Sequence, residues 1–332
     1  MSKAVEIPII RLDDPDEATT VERLRKCCLE HGFFYLGGHG MGDLFPEMLS
    51  EAARFFALPM EEKTHIRDPK RSRGYTGMEE QMLDPEAQKN LGRGDTKEGF
   101  YIGRHVPLDH PEYDPSKLKG PNIWPTSENC SLENCDGFHD VMQNYFDKAS
   151  GVCCELNRLL ALAIGLEDKY ALDEYFKEKF CTLRLLHYAA EQSNPESGLF
   201  ACGKHTDWGM ITLLLTDNNP GLQIQVDDKW IDVPPKSSKE EGSLFIVNLG
   251  DMLEHWTNGM FRSTVHRVVT SGEKERYSVP FFCEPDFDTN VECLAVCCSE
   301  ENPAKYPPTT SGQFLLDKYK ETQSKTIPEP SM

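Results

Sequence analysis

From Phe180 onward the chain breaks into short apolar stretches, FCTLRLLHYA, MITLLLTD, GLQIQV, KWIDVPP, GSLFIVNL, FRSTVHRVV and RYSVPFF, separated by turns such as NNPG and DDK. Stretches this short, joined by tight turns, favour antiparallel strands. Seven of them at this spacing predict a β-sandwich or jelly roll. Just upstream, Phe138, Val141, Met142, Tyr145, Ala149, Val152, Leu156, Leu159, Leu160 and Ala163 recur at helical spacing. They predict one long buttressing helix, stopped by a glycine suited to a left-handed cap at 165.

The N-terminal part alternates. IPIIRL (7–12), FFYLGGHG and KEGFYIG (97–103) read as strands, and residues 18–31, 43–57 and LPMEEKTHI as helices. Residues 105–137, rich in Pro, Asp, Asn and Gly, read as mostly loop, and a helix near 312–323 closes the chain. The expected fold is mainly β with flanking helices: a jelly roll with a helical N-terminal region. One domain over 1–332 is expected, with a substrate-covering region at 1–137, the long helix at 138–166, the jelly-roll core at 180–300 and a C-terminal helix and tail at 301–332.

Composition acts mainly by exclusion. With 35 basic and 55 acidic residues the net charge is -20, which argues against a nucleic-acid partner, because phosphate binding needs a clustered positive field. No run of eighteen apolar residues calls for a membrane span, and MSKAVEIPIIRLDD lacks the pattern of a secretory signal. Twelve cysteines without any CxxC predict reduced thiols and a cytoplasmic location rather than a structural zinc site. No obligate protein partner is evident.

Within this frame one constellation carries chemistry. His205 and Asp207, in GKHTDWGMITLLLTD, have the spacing that puts two side chains on one face of an extended segment, and His266 follows 58 intervening residues later. Two imidazoles and one carboxylate on one triangular face suit non-haem Fe(II), leaving positions for a chelating co-substrate and dioxygen. Ten residues on, Arg276 and Ser278 again lie two apart on a strand, a pair apt for a terminal carboxylate. Trp208, next to Asp207, is expected to face away from the ion.

The HxD, the distant His and the RxS resemble the 2-oxoglutarate- and Fe(II)-dependent oxygenases of the isopenicillin N synthase-like superfamily. GFFYLGGHGM, FFALPMEEK, RGY at 73–75 and NLGDMLEHWTNGMFRSTVHRV extend the likeness over nearly the whole chain. The resemblance implies a double-stranded β-helix, with His205, Asp207 and His266 on iron and Arg276 and Ser278 on the distal carboxylate of 2-oxoglutarate. Tyr188 stands where a tyrosine often contacts that co-substrate, although Leu186 and Ala189 replace the Asn and Pro of the common NYYP pattern. His187 should face the other way. No catalytic side chain beyond the metal centre is expected, and ascorbate is expected to support turnover.

RGYTGMEE, LDPEAQKNLGRGDTKEGFYIG and GKHTDWGMITLLLTD look most like a plant group that hydroxylates homoarginine at C6 and is related to the bacterial ethylene-forming enzyme. That likeness implies Glu98 gripping a guanidinium, with Phe100 packed along the aliphatic stem of homoarginine or arginine. An internal salt bridge is the rival account of Glu98. Two other activities stay open at this point: hydroxylation of a hydrophobic plant metabolite or hormone, and ethylene release from 2-oxoglutarate.

Overall fold

The computed structural model describes residues 6–68, 73–178, 180–239 and 242–323, so the last nine residues of the tail lie outside it. In chain order the strands that matter are β1 (Ile9–Arg11), β2 (Phe33–Gly37), β3 (Arg67–Asp68), β4 (Arg73–Thr76), β5 (Lys97–Gly103), β6 (Phe180–Tyr188), β7 (Cys202–His205), β8 (Ile211–Thr216), β9 (Leu222–Val226), β10 (Lys229–Asp232), β11 (Phe245–Leu249), β12 (His266–Val268) and β13 (Arg276–Glu284). Besides a single turn at Pro85–Gln88, the α-helices are α1 (Glu17–Glu30), α2 (Phe45–Phe56), α3 (Met60–His65), α4 (Cys135–Ile164), α5 (Asp251–Trp256) and α6 (Ser311–Gln323).

A nine-stranded sheet, ordered β1-β2-β11-β8-β13-β6-β5-β4-β3, faces a four-stranded sheet, β10-β9-β12-β7. This is the expected jelly-roll architecture. In the N-terminal region β1 and β2 extend one edge of the large sheet, and β3 to β5 the other. Strands that short cannot bury an apolar face alone, and joining a large sheet supplies the missing partners.

The long helix begins where the Asn134 side chain accepts a hydrogen bond from the Gly137 amide, three residues before the first apolar position noted in sequence. It ends at Gly165, whose φ of 111° a side chain would oppose. Its apolar stripe, including Phe138, Met142, Phe146 and Leu160, packs on the outer face of the large sheet together with α2. Phe146 meets Phe281 of β13 edge to face with centroids 5.2 Å apart.

Register decides which side chains face inward. β5 pairs with β6 through Lys97↔Tyr188, Glu98↔His187, Gly99↔Leu186, Phe100↔Leu185 and Tyr101↔Arg184. β6 in turn pairs with β13 through Tyr188↔Arg276, Leu186↔Ser278 and Thr182↔Phe282. Cross-strand partners share a face, and neighbours along a strand alternate. Lys97, Tyr188 and Arg276 therefore form one inward row, Gly99, Leu186 and Ser278 the next, then Tyr101 with Arg184. Glu98, Phe100 and His187 point the other way, toward the helices.

Candidate metal centre and adjoining clefts

His205 and His266 are direct partners across β7 and β12, which places their rings side by side, 4.2 Å between centroids. Asp207 lies just beyond the end of β7. Its Oδ1 is 3.7 Å from His205 Nε2 and 3.6 Å from His266 Nε2. One ligand atom from each of the three residues lies within 4.8 Å of the others, and among the described residues this is the group that could hold a metal ion.

The surroundings prepare all three as ligands. His205 Nδ1 lies 2.9 Å from the Gly203 carbonyl and His266 Nδ1 3.1 Å from the Thr264 carbonyl. A carbonyl only accepts, so each Nδ1 carries the proton and each Nε2 turns a lone pair to the centre. Burial holds both imidazoles below their ordinary pKa, His266 at about 4, with His205 beside it adding to the effect. Burial alone would raise Asp207, but the two imidazoles, Thr212 and Asn248 outweigh it and keep the acid below its usual range. Asp207 Oδ2 accepts from Thr212 Oγ1 at 2.6 Å and Asn248 Nδ2 at 2.7 Å, which leaves Oδ1 for an ion. Two neutral nitrogens and one monodentate carboxylate on one face form a donor set that fits Fe(II) with open positions.

Two clefts meet at this centre. One, about 560 Å³, is lined by Lys97, Tyr188, Ser278 and Arg276 along with all three candidate ligands. Arg276 is 2% exposed, its Nε donates to the Asn219 carbonyl at 3.2 Å, and its Nη1 has no partner among the described residues. Its guanidinium lies over the Tyr188 ring at 4.9 Å, and the Tyr188 hydroxyl is 3.2 Å from Ser278 Oγ. A buried guanidinium with a spare donor beside two hydroxyls could hold a carboxylate.

The second cleft, about 680 Å³, opens between β6, β13 and α6 and is lined by Tyr101, Arg184, Phe282, Glu284, Trp208 and Tyr319, among others. Trp208, expected to face away from the ion, lines this second cleft and not the one that all three candidate ligands line, and it packs partly against the main core cluster. It meets Tyr319 of α6 edge to face at 5.1 Å. Arg184 lines both clefts. One Nη donates to Gln81 Oε1 at 2.6 Å and the head lies over the Tyr101 ring at 4.4 Å, while Nε has no partner among the described residues.

The structure takes Glu98 and Phe100 away from both clefts. Glu98 shares its outward face with His187, and its carboxylate accepts from Lys63 Nζ at 2.7 Å and the Tyr75 hydroxyl at 2.6 Å, with His187 Nδ1 at 2.7 Å. Those three partners pull its pKa down against the upward push of burial. The internal salt bridge, made to Lys63, is therefore what the carboxylate does. Phe100 is fully buried against Phe55, centroids 4.6 Å apart, and Phe138 of α4. The alternation of β5 explains both: the cleft-facing positions are Lys97, Gly99 and Tyr101.

Sequence reasoning passed over Arg184, Lys97 and Glu284. Arg184 lies four residues before Tyr188 on one strand, and Glu284 eight residues after Arg276 on another, so parity alone put each on the inward face. Lys97 donates to Asp95 Oδ2 at 2.5 Å and Cys202 Sγ at 3.1 Å, a pairing that only the fold reveals.

A jelly roll carrying two histidines and an aspartate that could hold a metal ion, next to a group that could hold a carboxylate, fits an iron oxygenase that uses an organic acid as co-substrate. Comparison with known proteins says which. Residues 7–127 match the family described as non-haem dioxygenase in morphine synthesis N-terminal, and residues 180–285 match the 2OG-Fe(II) oxygenase superfamily. A 2-oxoglutarate-Fe(II) type oxidoreductase of Emericella nidulans is 33% identical, covering 95% of this chain and 88% of the relative. Azadirone synthase of Melia azedarach is also 33% identical, over 96% and 93%. A solved full-length protein of Neurospora crassa, in complex with alpha-KG and thymine, is 29% identical with a TM-score of 0.80, covering 98% of this chain and 99% of that one. The chain belongs to the 2OG-Fe(II) oxygenase superfamily and is a 2-oxoglutarate- and Fe(II)-dependent dioxygenase. Its relatives act on varied substrates and do not single out homoarginine. Among the described residues no helix is long and apolar enough to cross a membrane.

Proposed function

We propose that His205, Asp207 and His266 hold the iron, that Arg276 with Ser278 and Tyr188 receives the distal carboxylate of 2-oxoglutarate, and that the enzyme hydroxylates a small molecule whose anionic or carbonyl group meets Arg184. Bound Fe(II) supplies dioxygen activation, coupled to conversion of 2-oxoglutarate to succinate and CO2. The protein's part is placement. His205 and His266 present Nε2 because their Nδ1 protons are committed to backbone carbonyls. Thr212 and Asn248 fix the Asp207 carboxylate, and Tyr319 and Leu315 of α6 close over the cleft and limit water.

The observation that carries the substrate reading is the unpartnered Nε of a largely buried arginine in the wall between the two clefts. A guanidinium in that position calls for an acceptor, since a buried donor left unmade costs about 1–3 kcal/mol. Homoarginine or arginine offers its α-carboxylate there, with no part for Glu98; thymine, the compound bound to the Neurospora crassa relative, offers carbonyl oxygens. The N-terminal strands hydrogen-bond into the sheet that carries Arg276, so this reading treats the chain as one oxygenase domain. Its twelve unbridged thiols suit the reducing cytoplasm.

The test is succinate release by the Fe(II)-loaded protein with 2-oxoglutarate and a panel of L-homoarginine, L-arginine, thymine and 3-phenylpropanoate. Arg184→Met should raise KM for the stimulating compound at least tenfold. An unchanged KM in that variant removes Arg184 from substrate binding, and succinate release stimulated by none of these compounds removes the substrate class.

A further inference from the structure

At the far end of the same cleft stands a second polar group that the reaction does not use. Glu284 is the last residue of β13, 5% exposed, and lines the cleft with Phe282, Trp208 and Tyr319. Its Oε2 has no hydrogen-bond partner among the described residues. Room for the carboxyl comes from Gly209: a Cβ there would come within 2.6 Å of Glu284 Oε1. A buried carboxyl with one oxygen left without a partner, in the wall of a substrate cleft, is a cost to the fold that a ligand removes.

We infer that Glu284 is a specificity-determining residue, which accepts a hydrogen bond from an N–H group of the substrate at the end of the cleft opposite Arg184. Glu284 pairs with Phe180, four residues before Arg184 on β6. At about 3.3 Å per residue the two backbone positions are roughly 13 Å apart along the strand. A ligand reaching both side chains is therefore bifunctional: an acceptor or anion at one end, a nitrogen donor at the other. Basic amino acids and cyclic ureides have this character, whereas simple hydrophobic acids lack the donor. This rests on the Arg184 reading above and narrows its substrate class.

The experiment is calorimetric titration of the anaerobic Fe(II)–2-oxoglutarate complex with L-arginine, L-homoarginine, thymine and the donor-free 3-phenylpropanoate. Wild type, Glu284→Leu, which removes both carboxyl oxygens at similar size, and Arg184→Met are compared, with melting curves to confirm that each variant is folded. Glu284→Leu leaves no acceptor for an N–H group. At least one nitrogen-bearing compound should bind wild type and weaken tenfold or more in Glu284→Leu, while any binding of 3-phenylpropanoate changes less than twofold. Equal affinity of both proteins for every nitrogen-bearing compound, or no binding of any of them, overturns the inference. Retained binding of 3-phenylpropanoate by Arg184→Met instead overturns the Arg184 reading, and the two failures are thus told apart.

Discussion

Replacing Glu98 by Gln separates the two roles that its sequence context suggests. In the structure the carboxylate is 3% exposed and anchors the ammonium of Lys63, itself 5% exposed, at 2.7 Å. Once the charge is gone, Lys63 keeps only neutral partners, the Phe56 carbonyl at 3.0 Å and the faces of the Phe56 and Tyr75 rings. Removing one member of a buried ion pair leaves the other charge uncompensated, at a cost of about 3–5 kcal/mol. For 332 residues, at roughly 2.1 cal/mol/K each, the unfolding entropy is about 0.7 kcal/mol/K, so Tm should fall by about 4–7 °C. The assay is thermal unfolding of the metal-free protein, alongside steady-state kinetics at a temperature where both forms are folded. Pairing Glu98→Gln with Lys63→Met should recover most of the loss, because no unpaired ammonium remains. A variant within about 1 kcal/mol of wild type whose KM for a basic amino acid rises tenfold would refute this reasoning and return Glu98 to the substrate.

Other outcomes follow from the same geometry. Arg276→Leu should raise KM for 2-oxoglutarate by about a hundredfold, the equivalent of roughly 3 kcal/mol for a lost charge-assisted contact, with its melting curve showing a folded protein. His266 is neutral in the fold down to about pH 4 but takes a proton near 6.5 when unfolded, so the unfolded chain binds more protons between those values. Stability of the metal-free protein should therefore fall as pH drops through that window, and His266→Asn should flatten the slope. Glu284 behaves oppositely: burial, with Asp207 nearby, holds its pKa well above the ordinary carboxyl value, so the folded state keeps a proton that the unfolded chain loses above about pH 4.5. Its penalty grows with pH, and Glu284→Gln should raise Tm at pH 8 more than at pH 4.5.

How much of this could be read from the chain alone depended on whether the determining interaction was local. The β5, β6 and β13 segments and the α4 stripe are set by period and turn chemistry within their own residues. His205 and Asp207 lie two apart on one segment, so their proximity needed no tertiary knowledge. His266 needed only the expectation that a jelly roll brings a later strand alongside. Glu98 and Phe100 went astray because a strand has two faces and alternation does not say which one is inward. The register with β6 settles it, and His187 was the available signal: a residue expected to face away carries its cross-strand partner Glu98 away with it. Lys63, thirty-five residues before Glu98 on a different helix, could not be found by any local rule. Arg184 and Glu284 shared strand and parity with residues already chosen, so they were legible and passed over.

The central claim is that three side chains from β7, the turn after it and β12 hold one ferrous ion, and anaerobic equilibrium dialysis against Fe(II) tests it most directly. Wild-type protein should retain one ion per chain, with Asp207→Ala and His266→Ala each losing it under the same conditions. Full retention of the ion by both variants would place the metal elsewhere and contradict the account.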